Sequence, residues 1–161
     1  WALKTPILKS RFRVKPKTKE IWIALIMKIL GIEHIGIAVK DLNESSSFWG
    51  NILNILHSHS ESVKSESVNT KIYDTSRGKI ELLTSMESNS PIDKFIRNRG
   101  PGVHHVCLEV DDVYLAIIEL KSSGIEVLND IPKIGAEGFK VIFIHPKFTG
   151  GVLVELAERP A

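Results

Sequence analysis

The sequence is poor in the features that announce the specialised classes of protein. It has a single cysteine, Cys107, in 161 residues. No internal disulfide can form, which excludes a disulfide-stapled secreted scaffold and leaves a buried, inert thiol in a reducing compartment as the expected role. Long apolar runs are also missing. The stretch Ile21–Ile32 is broken by Lys28 and falls short of the ~20 residues that cross a bilayer, so no membrane crossing is expected. Charge of one sign is lacking as well: 21 Lys and Arg against 19 Asp and Glu leave +2. Such a balance excludes the broad positive field of a nucleic-acid-binding protein, while a few local basic residues can still meet a small anionic ligand.

What is present suits one well-buried core, since 43% of the residues are hydrophobic and the chain is of ordinary single-domain length. The exception is the start. Residues 1–26 carry Lys4, Lys9, Arg11, Arg13, Lys15, Lys17 and Lys19 against the lone acid Glu20. This basic extension reads either as an organelle transit peptide or as sequence preceding a natural start at Met27; it lacks the serine richness of the former and contains Pro6 and Pro16. Residues 27–161 read as one domain. The expected compartment is cytoplasmic, or the mitochondrial matrix if the extension is a transit peptide.

The domain repeats itself. His34-Ile-Gly-Ile-Ala-Val39-Lys-Asp-Leu and His105-Val-Cys-Leu-Glu-Val110-Asp-Asp-Val each begin with histidine, alternate as a strand and lead into an amphipathic helix. Leu42, Ser45, Phe48, Trp49 and Ile52 share one face of the first helix; Val113, Ala116, Ile117 and Leu120 share one face of the second. Asp41 with Glu44 forms a capping box, Asp111 or Asp112 caps the second helix, and Gly124 follows it as the left-handed closing residue. Strands are then expected near 56–63, 68–74 and 79–85 in the first half, and near 125–128, 139–145 and 152–158 in the second. Ser90-Pro91 opens a linker helix at about 91–99. Each half (about 31–86 and 102–158) therefore reads as a βαβββ module, giving an α+β fold with one curled eight-stranded half-barrel sheet around a shared interior.

The histidines are offset by 105 − 34 = 71 residues and the glutamates of Lys79-Ile-Glu81-Leu and Leu153-Val-Glu155-Leu by 155 − 81 = 74. Strand alternation sets His34 on a face with Gly36 and Ala38, His105 with Cys107 and Glu109, and turns Glu81 and Glu155 away from their apolar neighbours. A duplication that kept only packing would have no reason to repeat a costly inward charge. Two imidazoles and two carboxylates in symmetry-related positions suit a divalent ion such as Co, Ni, Mn, Fe or Zn. His57 and His59 read as a solvated strand face, and His104 as a hydrogen-bonding residue pointing opposite His105. Lys133 and Lys147, in loops beside prolines, could meet phosphates of a ligand, and Gly135-Ala-Glu-Gly138 is a loop too short for a dinucleotide fingerprint.

From about Met27 onward the chain resembles the methylmalonyl-CoA epimerase family of the vicinal oxygen chelate superfamily. The resemblance rests on Gly31-Ile-Glu-His34 through Leu42, Ser90-Pro-Ile-Asp-Lys-Phe-Ile96, Gly102-Val-His-His105 through Asp112, Ile134-Gly-Ala-Glu-Gly138, and His145-Pro-Lys147 with Gly150 through Leu156. It implies a homodimer that epimerises an acyl-CoA thioester by proton removal and return at C2 through a metal-stabilised enolate. The family's ligand positions fall on His34, Glu81, His105 and Glu155, with Co2+ favoured and Ni2+, Mn2+, Fe2+ or Zn2+ as alternatives. Some members have glutamine where Glu81 stands, so this site carries one more negative charge than theirs. By the same resemblance Glu155 doubles as one acid/base group. For the opposite face, Lys71 occupies the best-matched position, with Glu66 and a metal-bound water as alternatives. A glyoxalase-I-like lyase acting on a glutathione hemithioacetal and a non-catalytic binding module are the rival readings.

Overall fold

The computed structural model describes residues 26–161, so the basic extension lies outside the described residues apart from Ile26. Eight strands form one sheet, curled into a half-barrel. They are β1 (Ile29–Ala38), β2 (Leu56–Val63), β3 (Val68–Asp74), β4 (Lys79–Ser85), β5 (Gly102–Val110), β6 (Lys133–Ile134), β7 (Lys140–Ile144) and β8 (Leu153–Glu158). Their order is β2-β3-β4-β1-β5-β8-β7-β6. Three α-helices accompany them: α1 (Leu42–Ser46), α2 (Pro91–Arg99) and α3 (Val113–Ser122). Among the described residues no helix is long and apolar enough to cross a membrane.

The repeat is visible in the pairing. β1 runs parallel to β4, β5 runs parallel to β8, and β1 and β5 meet antiparallel at the centre. Period-two alternation decides what each face holds. On the outer face Ile142, Ile144 and Leu156 pack with Val113, Ala116 and Ile117 of α3. In the other half Leu82, Tyr73 and Val39 pack beside Leu42 and Trp49. The inner face carries Glu81, Leu83, Val141, Phe143, Glu155 and Ala157.

Local chemistry sets the helix ends as expected. Asp41 accepts from the Glu44 amide, Ser90 from the Asp93 amide with Pro91 in the first turn, and Asp112 from the amides of Tyr114 and Leu115. Gly124 takes the left-handed conformation, φ +75°. Asp111 instead accepts the Lys28 amide at 2.8 Å.

Two expectations need correction. The first helix does not continue regularly: after Ser46 it widens into a π-type segment, Ser47–Ile52, with the Leu53 amide bonding Phe48 oxygen. The wider turn rotates the expected apolar face, so Trp49 still packs but Phe48 and Ile52 are exposed. The strand expected at 125–128 is only a bridge from Val127 to Ile144, and the sheet's edge is β6 at Lys133–Ile134. The reason lies in Asn129. Its side chain donates to Val141 oxygen at 3.1 Å and accepts from the Phe143 amide at 3.1 Å, taking main-chain bonds of β7 that a strand would have used.

Ile142 is fully buried between the sheet and α3. Ile142→Ala is expected to destabilise the fold by roughly 2–5 kcal/mol, measured by urea unfolding; a change below about 1 kcal/mol would mean this cluster does not support the sheet.

Candidate active site

The site is built where the two halves meet. On β1 and β5, Gly36 pairs with His105 and His34 with Cys107, so each histidine crosses over a small residue of the other strand. At Gly36 that smallness is obligatory: a Cβ there would lie 2.2 Å from Cε1 and 2.5 Å from Nδ1 of His105. The parallel partners then add one carboxylate each. Glu81 pairs with Gly36 and Glu155 with Cys107. In both halves the glutamate thus faces the residue two beyond the histidine (36 − 34 = 2 and 107 − 105 = 2), the structural form of the sequence repeat.

The four side chains are buried and converge. His34 Nε2 lies 2.8 Å from His105 Nε2, 3.2 Å from Glu81 Oε2 and 3.6 Å from Glu155 Oε2. His105 Nε2 is 3.0 Å from Glu155 Oε2 and 3.9 Å from Glu81 Oε2. His34, His105 and Glu155 offer ligand atoms all within 4.8 Å of one another, and so do Glu33, His34 and Cys107.

Glu33 is a participant that strand alternation hides. A bulge in β1, with Ile32 opposite Leu108 and His34 opposite Cys107, makes Glu33 the extra residue. It is buried on the same side as His34 and sits 2.6 Å from His34 Nδ1. An ionised carboxylate has no proton to give, so Nδ1 donates and Nε2 faces the centre. Lys79 in turn lies 2.7 Å from Glu33 and also pairs with Glu137. The Glu-His doublet within Gly31-Ile-Glu-His34 was the available signal for this residue.

His104 does not point away from His105. Its Nδ1 is 2.9 Å from His105 Nδ1, its ring packs edge-on against Phe95, and it lines the cleft. Burial, and then the neighbouring His105, push its pKa down to about 4. It is therefore neutral near pH 7, able to accept at Nδ1 and hold the second imidazole as Glu33 holds the first.

Charge in this cluster is strongly coupled. Burial disfavours a charged His34 ring, but hydrogen bonds with Cys107, Glu155, Glu33 and Glu81 outweigh it and raise its pKa well above the usual value. Glu155 suffers the same burial, yet hydrogen bonds from His105 and His34 bring its carboxyl down to about 2. Cys107 is inert, its thiol pushed up to about 12 chiefly by burial.

The cluster forms the floor of an open cleft. Apolar walls come from Val63, Val68, Ile72, Leu83, Phe139 and Phe143. Of the two further candidates the structure brings only Glu66 to this cleft; Lys71 sits on the other face of β3, bonded to Asn43 at 2.9 Å. Lys133 pairs with Glu66 and Lys147 with Glu126. His57 and His59 bond Ser60 and Glu61 along β2, and the Gly135–Gly138 loop closes one side of the cleft.

Residues 33–143 match the family described as the Glyoxalase/Bleomycin resistance protein/Dioxygenase superfamily. The mouse mitochondrial methylmalonyl-CoA epimerase is 40% identical over 134 residues, covering 83% of this chain and 75% of the relative. The chain belongs to the methylmalonyl-CoA epimerase family. Solved structures of the family agree. The Mycobacterium tuberculosis epimerase superposes with a TM-score of 0.79 at 30% identity, covering 83% of this chain and 90% of its own. An epimerase in complex with methylmalonyl-CoA and NH4+ gives 0.79 at 31% identity, covering 83% and 97%.

Within this epimerase-family site, Gly36→Ala is expected to drive the His105 ring away from His34. Nitrogen-15 spectra of the imidazoles should show altered tautomer populations at both histidines, while Gly31→Ala, with nothing within 4 Å of a new Cβ, leaves them unchanged. Unaltered histidine signals in Gly36→Ala would mean that the ring has other room.

Proposed function

We propose that this epimerase-family enzyme interconverts the C2 epimers of methylmalonyl-CoA, with a divalent cation held by His34, Glu81, His105 and Glu155. The observation that carries the reading is the convergence of these four buried donors from the two halves of one sheet. The donor set fits an ion. Ligands at about 2.0–2.2 Å from one metal lie roughly 3 Å apart when adjacent and about 4.2 Å when opposite, which spans the 2.8–3.9 Å separations between the two imidazole nitrogens and from each of them to the two carboxylates. Charge supports it too. Five carboxylates and one lysine line the cleft, a surplus that would repel an anionic acyl-CoA unless a cation offset it. Mixed nitrogen and oxygen donors suit Co2+, with Ni2+, Mn2+, Fe2+ or Zn2+ as alternatives.

When bound, such an ion supplies Lewis-acid stabilisation for the negative charge that develops on the thioester oxygen. The chain's own residues handle the protons. Glu155 comes from the second half of the sheet and Glu66 from the β2–β3 turn of the first, so the two carboxyl groups approach the cleft from different walls. One, ionised, takes the C2 proton as the C–H electron pair moves into the thioester carbonyl. A proton is returned to the opposite face through the other carboxyl group, which takes it up from solvent and is left ionised, and the roles reverse in the reverse direction. Glu33 and His104 hold the imidazoles in place, and the apolar walls keep water from the reacting carbon. The structure's placement of Lys71 outside the cleft favours Glu66 for the second role.

The epimerase reading prevails over a glyoxalase-I-like lyase because the named relatives and the substrate complex are epimerases. The proposed assembly is a homodimer, supported by family likeness and by the exposed aliphatic side chains Ile29, Leu30 and Ile32 on β1.

In heavy water, one epimer of methylmalonyl-CoA should gain deuterium at C2 with inversion; chelation should abolish this and Co(II) restore it, read by mass spectrometry. Glu66→Gln should slow inversion by about 10²-fold or more, whereas Lys71→Gln should change it less than about twofold. Full inversion by Glu66→Gln would remove that residue from the mechanism.

Proton competition gives a second test. Because the His34 pKa is raised, an incoming ion must displace its proton below that pKa, so affinity should strengthen about tenfold per pH unit as pH rises through neutrality. Calorimetry in buffers of differing ionisation enthalpy should register release of about one proton per ion; no release at pH 7 would contradict the site.

A further inference from the structure

The Lys133–Glu66 pair joins the two halves at the side of the cleft. Lys133 Nζ lies 3.0 Å from Glu66 Oε1. That oxygen is buried, and among the described residues no aligned hydrogen bond reaches it, so the contact is one of charge with charge. Both ends are anchored. Glu66 closes a short 3-10 turn, Lys64–Glu66, followed by Ser67 in the left-handed conformation at φ 54°. Lys133 opens the segment that runs through β6 to Gly138. That segment is tied to the first half by Ser65 donating to Ile134 oxygen at 2.7 Å, by the Glu137 amide donating to Glu61 at 2.7 Å, and by Lys79 pairing with Glu137. These bonds hold the backbone at Lys133 beside the Glu66 turn.

We propose that Lys133 is a positioning residue: from the opposite half of the sheet it holds the Glu66 carboxyl group in place, aimed at the reacting carbon. The proposal rests on the reading of Glu66 as the second acid/base group. Its physical basis is the charge balance of the cleft, where Glu66 shares the interior with Glu33, Glu81, Glu137 and Glu155. Without a cation beside it, a carboxylate in such company is repelled by its neighbours and free to swing out to water.

The test compares Lys133→Ala, Lys133→Arg and Glu66→Gln in the metal-loaded enzyme, following inversion and C2 deuterium exchange from each epimer, with thermal melting to confirm folding. In Lys133→Ala, kcat for inversion should fall about 10-fold to 100-fold, part of the ~10²–10⁴-fold supplied by an acid/base group, with KM changed less than about threefold. Exchange without inversion should persist from the epimer whose proton faces Glu155 and be lost from the other. Lys133→Arg should recover most of kcat. A rise in KM at unchanged kcat would overturn the proposal in favour of a substrate-phosphate contact, and equal losses of exchange from both epimers would reduce Lys133 to a general structural role. If Glu66→Gln alone leaves inversion intact, the assignment of Glu66 fails and the proposal with it. If Glu66→Gln abolishes inversion while Lys133→Ala does not slow it, only the positioning role fails.

Discussion

Two imidazole nitrogens held 2.8 Å apart between buried carboxylates set the terms for the rest of the molecule. Lone pairs and negative charges brought this close, out of water, repel unless a proton or a cation stands among them. A proton on His34 meets the need, and its raised pKa is the expression of that demand. The same demand makes the cluster receptive to a divalent ion. Gly36 is the backbone's contribution: its missing side chain is the space in which the His105 ring lies.

The duplication explains how a chain with modest means assembles such a cluster. Each half needs to place only one histidine and one glutamate, with the glutamate on the strand parallel to the histidine's and facing the residue two further on. Antiparallel pairing of β1 with β5 then brings the two pairs together. The symmetry is broken around the cluster, and the broken parts carry the individuality of the site. His34 is backed by an anion, Glu33, itself balanced by Lys79; His105 is backed by a neutral imidazole, His104. Glu66 and Glu137 stand in matching 3-10 turns of the two halves, but Glu66 is paired with Lys133 and Glu137 with Lys79.

How much of this was legible in the sequence follows from the same physics. Helix caps, alternating strands and the repeated histidine and glutamate are local signals, and they place β1 to β5, β7, β8, α2, α3 and the four residues that converge. The misses came where tertiary or side-chain chemistry overrides local pattern. The π-type widening after Ser46 defeated the helical periodicity of Phe48 and Ile52, and the Asn129 side chain took hydrogen bonds that a strand at 125–128 would have used. The bulge at Glu33 breaks the strict alternation that would turn it away from His34, and His104 reaches the cleft despite being next to His105. Lys71 fell on the outer face because β3 presents Val68 and Ile72 to the cleft, a register that alignment to a family pattern does not convey.

The proposed seat of one divalent ion among His34, Glu81, His105 and Glu155 is open to X-ray absorption of the Co(II)-loaded protein. One ion per chain is expected, with nitrogen and oxygen ligands at about 2.0–2.2 Å, including two imidazoles, and no sulfur. A sulfur at about 2.3 Å would move the ion to the neighbouring Glu33, His34 and Cys107 group and contradict the assignment, as would a spectrum with no imidazole ligands at all.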